Sequence, residues 1–158
     1  MSNSLDTKQS PPGRGRANGA LDHGLLPRLV GYQLRLAQLA VFRDFDRATA
    51  GLGLTPGRFG MLVLIEANPG VTQSELARAV GLDRSTMVAL VDQLEDRRLV
   101  ARRRGEDRRT NGLWLTSAGR ALLGRMKRRV AAHEARVAAR FTPAERELLL
   151  DALRRLGQ

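Results

Sequence analysis

A chain of 158 residues without a single Cys has the length of one ordinary domain, and it excludes a disulfide framework, a Cys-based zinc site and a thiol switch. Its two His stand in no cluster of carboxylates at ligand spacing, and no nucleophile motif or phosphate-cradling loop is present, so no catalytic residue, metal or cofactor is expected and the enzyme class is disfavoured. The net charge of +11 comes from 27 Lys+Arg, nearly all Arg, against 16 Asp+Glu, and points to a polyanionic partner that guanidinium forks can grip.

Residues 1–20 are rich in Ser, Asn, Gly and Pro, with Arg14 and Arg16 in a Pro-Pro-Gly-Arg-Gly-Arg run, and are expected to form a disordered basic arm. They hold no apolar leader core, and no stretch of the chain is apolar for transmembrane length. A cytoplasmic protein with no membrane partner is therefore expected. Over 25–50 apolar residues recur at Leu25, Leu29, Tyr32, Leu36 and Leu39, which predicts a long helix. A second set, Leu34, Val41, Phe42 and Phe45, makes it apolar on more than one side, so it needs two partners. Gly51 and Gly53 stop it. Thr55-Pro56 then opens a second helix over 56–67, as an N-cap followed by Pro at the first helical position.

Thr72-Gln73-Ser74-Glu75 has the form of a capping box, starting a short helix that closes at Val80-Gly81. Asp83 caps the next helix, predicted over 84–98 with Met87, Leu90, Val91 and Leu94 on its core face. Two helices across a tight Gly turn form the helix-turn-helix pattern, whose second helix enters the major groove. Arg84, Ser85 and Thr86 are the candidates for base or phosphate contact, with Gln73 and Ser74 meeting phosphate at the start of the preceding helix. Residues 99–104 and 112–115 read as two strands of a hairpin. Its arginines, Arg97, Arg98, Arg102, Arg103, Arg104, Arg108 and Arg109, are expected to contact DNA. A helix capped by Thr116 or Ser117 is predicted to run to about Arg140, and Thr142-Pro143-Ala144-Glu145 opens the last one with a second capping box.

Ser85-Thr86-Met87, Leu90-Val91-Asp92, Leu94-Glu95 and Leu99-Val100, followed by Asp107-Arg108-Arg109 and Leu113-Trp114-Leu115-Thr116, resemble the MarR family of bacterial transcription regulators. The pattern Asp-x-Arg-x-x-x-Leu-x-Leu-Thr is its most specific part. The resemblance implies a mainly α fold with a small β-wing: about six helices and a two-stranded hairpin, with a winged helix-turn-helix over 55–116 and a helical dimerisation region over 21–54 and 117–158. It further implies that Asp107 braces the wing and that Arg109 enters the minor groove. Where many relatives carry Thr and Arg in the recognition helix, this chain has Val88 and Ala89, whose methyl groups suit thymine methyls.

Leu25, Leu26 and Leu29 with Phe141, Leu148, Leu149, Leu153 and Leu156 then fit an isologous homodimer interface on a pseudo-palindromic operator of double-stranded DNA. The family also implies a repressor released by a small-molecule effector. The segments 24–35 and 40–42 resemble the branch that senses hydroxycinnamoyl-coenzyme A thioesters. The effector expected is thus an aromatic carboxylate or its CoA thioester, with Arg35, Arg43 and Arg58 as anion partners and His23, Tyr32, Phe59 and Trp114 as ring contacts. An architectural DNA-binding protein without ligand control is the alternative.

Overall fold

The computed structural model describes residues 21–104 and 111–157, and the chain divides into two units, one ending at Ala37 and one beginning at Gln38. In the first unit the expected helix does not start at Leu25. Leu26–Arg28 is a single 3-10 turn containing Pro27, and Leu29 is extended (φ −88°, ψ 125°), so helix α1 spans Val30–Ala48. Pro27 brings no N–H to a helical ladder, and its carbonyl accepts instead from the Gln33 side chain at 2.7 Å. Leu25, Leu26, Leu29, Val30, Leu34 and Leu36 are all exposed.

In the second unit Thr49 returns its hydroxyl to the Phe45 carbonyl at 2.8 Å, and Gly51 and Gly53 turn the chain at positive φ. Helix α2, Pro56–Ala67, has the predicted bounds with Thr55 as N-cap. Strand β1, Val71–Thr72, follows directly. It pairs antiparallel with β3, Asn111–Leu115, which pairs with β2, Val100–Arg104, giving a sheet in the order β1-β3-β2. The expected two-stranded hairpin is β2 with β3, and β1 joins it as a third strand. Two residues are too few to show an alternating pattern, and the cap function of Thr72 hides its pairing with Gly112.

Helix α3, Gln73–Val80, ends on Gly81 in the left-handed conformation (φ 68°), where a side chain would be strained. Helix α4 spans Arg84–Asp96, stopping two residues short of the predicted end because Arg98 itself adopts φ 54°. Helix α5, Ser117–Ala138, and helix α6, Pro143–Leu156, start on their predicted Thr caps and complete six α-helices among the described residues. The core of this unit gathers Met61, Leu62, Ile65, Leu76, Met87, Val91, Leu94, Leu113, Leu123 and Met126, all fully buried. At about 1.5–3 kcal/mol for each large side chain, that burial is what holds α4 and the sheet in register.

Candidate nucleic-acid interface

Helix α4 is positioned by its apolar stripe: Met87, Val91 and Leu94 are 0 % exposed, and Leu90 packs beside them. The opposite side carries Arg84, Ser85 and Ala89 exposed and Val88 half-buried, with Thr86 exposed at its border. Arg84 makes no hydrogen bond or ion pair among the described residues, which leaves its fork available. Asp83 caps the helix: its carboxylate accepts the Thr86 N–H at 2.8 Å and both neighbouring hydroxyls, of Ser85 and Thr86. The Ser85 hydroxyl and then the Thr86 donors hold the Asp83 carboxyl far below the usual carboxylate range.

At the start of α3 the capping box is complete. Glu75 Oε2 accepts from the Thr72 N–H and hydroxyl, each at 2.8 Å, and the Glu75 N–H returns to Thr72 Oγ1 at 3.3 Å. The Thr72 backbone donor, then its hydroxyl, lowers the Glu75 carboxyl. Of the two phosphate candidates here, Ser74 is exposed, whereas Gln73 is half-buried with its Nε2 turned inward and unpaired among the described residues.

The arginines that look alike in sequence divide by partner. Arg102, on β2, places its guanidinium between Asp92 (2.6 Å) and Glu95 of α4, and its backbone N–H donates to Glu95 at 3.0 Å. Arg97 donates to the carbonyls of Gly53 and Leu52. Carboxylates and carbonyls from other turns thus hold these two guanidiniums within the head, a role that their place in the arginine run did not suggest. Arg103 remains exposed on β2. Asp107, Arg108 and Arg109 lie outside the described residues.

The root of the wing is closed by Thr116, which accepts the Gly119 N–H at 2.9 Å and donates to the Arg98 carbonyl at 2.6 Å. Gly119 sits so near β2 that a Cβ there would stand 2.0 Å from the Leu99 carbonyl oxygen. Gly112 is similarly confined, with the Gly70 carbonyl and the Trp114 ring each 2.6 Å from where its Cβ would be.

The effector candidates fall in several settings. In the first unit the Tyr32 hydroxyl and His23 Nδ1 are 3.2 Å apart, and Arg35 is exposed. In the second, Arg43 is exposed, Arg58 donates to the Gln93 side chain, and half-buried Phe59 packs on core Phe45 with ring centroids 6.1 Å apart. Trp114 lines a cleft of about 160 Å³ with Ile65, Glu66, Pro69, Leu115 and Arg120. Sequence reasoning missed a polar cluster. Asp44 of α1 accepts from buried His133 of α5 at 2.7 Å, from Arg136 at 3.0 Å and from Arg47 at 3.1 Å. His133 first, then the arginines, hold the Asp44 carboxyl far below its ordinary value. The sign of it in the sequence is that His133 continues the inward stripe of buried Met126 and half-buried Val130, where a polar ring needs a partner.

Among the described residues no group of three or more His, Cys, Asp or Glu could hold a metal ion, and no helix is long and apolar enough to cross a membrane. The sequence model of the MarR family matches residues 52–110. A putative transcriptional regulatory protein for the hcr operon of Thauera aromatica is 41% identical over 138 residues, 86% of this chain and 83% of that protein. Among solved structures, the transcriptional repressor CouR bound to a 23-mer DNA duplex is 42% identical, with a TM-score of 0.82 over 88% of this chain and 99% of that one. CouR bound to p-coumaroyl-CoA superposes equally well, at 41% identity, a TM-score of 0.82 and the same coverage.

Proposed function

The chain belongs to the MarR family of transcription regulators, and we propose that it is a repressor that binds a pseudo-palindromic operator as a homodimer and leaves it when an aromatic acyl-coenzyme A thioester binds. Its role is regulatory and not enzymatic. The observation that carries the reading is its likeness along 88% of its length to a repressor seen both on a DNA duplex and with p-coumaroyl-CoA. The exposed side of α4 supports the DNA half. Arg84 is free to fork onto a guanine, and Val88 and Ala89 are apolar enough to meet thymine methyls. Ser74 at α3 and Arg103 with Arg108 and Arg109 at the wing serve the phosphates and the minor groove in this reading, with Asp107 bracing the wing.

The charge pattern supports a coenzyme A thioester as the effector, because its phosphates call for cations outside any ion pair. Arg35 and Arg43 are exposed and unpaired among the described residues, and Trp114 offers a ring face beside a cleft. Release requires the effector to favour the DNA-free arrangement, and a tenfold loss of operator affinity needs a coupling of about 1.4 kcal/mol.

The test is a fluorescence-anisotropy titration with duplexes selected from random sequence by the protein itself, followed by p-coumaroyl-CoA, coenzyme A and p-coumarate as separate competitors. The thioester is expected to release the duplex at concentrations where the other two do not. Equal release by free p-coumarate would replace the thioester with the aromatic acid, and binding without sequence preference would replace the regulator with an architectural protein.

A further inference from the structure

The carboxylate that caps α4 also fixes which way two hydroxyl hydrogens point. Asp83 Oδ1 accepts the Thr86 N–H and the Ser85 hydroxyl, and Oδ2 accepts the Thr86 hydroxyl at 2.6 Å. A hydroxyl has one hydrogen and two lone pairs. With both hydrogens given to Asp83, the exposed oxygens of Ser85 and Thr86 present only lone pairs outward. Their donors keep the Asp83 carboxyl ionised far below its ordinary value of 3.8, so it stays an acceptor wherever a DNA duplex is intact.

Lone pairs in the major groove meet the N6 amino group of adenine and the N4 amino group of cytosine. Guanine O6 and N7, thymine O4 and phosphate oxygens are themselves acceptors. On the operator-binding reading above, we propose that Asp83 is a positioning residue that sets the hydrogen-bond polarity of α4, making Thr86 a reader of an amino-bearing base, adenine or cytosine, and not of a keto-bearing base or phosphate. Arg84 beside the two hydroxyls is donor-only, so the first turn of α4 offers a donor fork next to two acceptors. Neighbouring base positions of opposite polarity are demanded as a result, which a uniformly donating helix start would not require.

The variant D83N separates polarity from capping. Asn is as good an N-cap as Asp, and its Oδ1 still accepts the Thr86 N–H, but its Nδ2 now donates to Thr86 Oγ1 and turns the hydroxyl hydrogen outward. The experiment compares the full-length wild type, D83N, T86V and D83N/T86V against every single-base-pair change of a selected duplex at one salt concentration, with thermal unfolding as the check on folding. The wild type is expected to favour adenine or cytosine over guanine or thymine by about fivefold at one strand position per half-site. T86V erases that preference by losing affinity for the amino-bearing base, D83N flattens it by gaining affinity for guanine or thymine, since the turned hydroxyl then presents its hydrogen beside a remaining lone pair, and D83N/T86V is as indifferent as T86V.

A specific wild type whose base preferences are untouched by T86V, or a folded D83N that keeps the amino preference, overturns the assignment. If D83N fails to fold, T86V alone decides, since Val is isosteric with Thr and leaves the Asp83 bond to the backbone in place. A wild type that binds all duplexes alike overturns both this assignment and the operator reading on which it rests.

Discussion

Arg102 and Arg103 are adjacent, equally charged and indistinguishable by pattern, yet they point to different consequences. Arg102 closes on Asp92 and Glu95 with its side chain 28% exposed, tying the wing to the helix beside it, while Arg103 is open to solvent. Arg102→Ala is expected to lower stability by about 0.5–1.5 kcal/mol, because it leaves half-buried Glu95 without its guanidinium while Asp92 stays solvated, and to weaken DNA binding with it. Arg103→Ala is expected to leave the thermal midpoint unchanged while reducing the slope of log affinity against log salt by about one. Chemical denaturation and anisotropy at several salt concentrations check the pair, and a loss of stability in Arg103→Ala would count against its assignment to phosphate.

Asp44 carries the acid sensitivity of the α1 and α5 contact. Its folded carboxyl is depressed by His133 and the arginines, so the stability it adds is present above the ordinary value of 3.8 and is lost as pH falls through the lower folded value. Asp44→Asn should therefore melt below the wild type at pH 7. The gap should narrow as pH drops below about 4, read from thermal midpoints across pH 7 to 2. A constant gap would mean that packing, not charge, is what the substitution removes.

Among the elements, α5 and the root of the wing depend on a single missing methyl group. Gly119 lies in the first turn of α5 against the Leu99 carbonyl, which also accepts the Thr116 N–H at 3.1 Å. Ala is the better helix former, but its Cβ would meet backbone that has no room to yield. Gly119→Ala is expected to destabilise by about 1–3 kcal/mol in urea unfolding, with operator affinity falling as the wing root shifts. A stabilised variant would show that α5 can move away from β2 freely. Nothing in the linear pattern says what this Gly avoids. The helix starts were legible because Thr55, Thr72, Asp83, Thr116 and Thr142 each satisfy donors within three residues. Strand β1 was not, since its two residues gain their conformation from β3, some forty positions away.

At the scale of the molecule, exposed apolar surface is the unpaid debt of the isolated chain. Leu148, Leu149, Leu153 and Leu156 of α6 are 70%, 39%, 41% and 61% exposed, and Leu25 and Leu29 are 65% and 44%. Such faces mark interaction surfaces. In the homodimer proposed above they are covered, and two heads then share one operator with the gain that linkage brings. Leu153→Asp is expected to convert a dimer to a monomer in light scattering and to cut operator affinity more than about a hundredfold, with the winged head still folded by circular dichroism. A dimeric Leu153→Asp would move the interface off this face.

What could be known from the chain alone was whatever is settled within a few residues: caps, Gly turns, the 3.6-residue stripes of α2 and α4, and the excess of Arg that calls for DNA. Those interactions close inside one or two helical turns, so sequence spacing is enough to see them. Tertiary structure decided which arginines are free, that His133 meets Asp44 across 89 positions, that a third strand completes the sheet and that Phe59, half-buried, packs against the core. Each of those depends on which distant group arrives first at hydrogen-bond distance, and that is a property of the folded chain in space, which linear spacing does not encode.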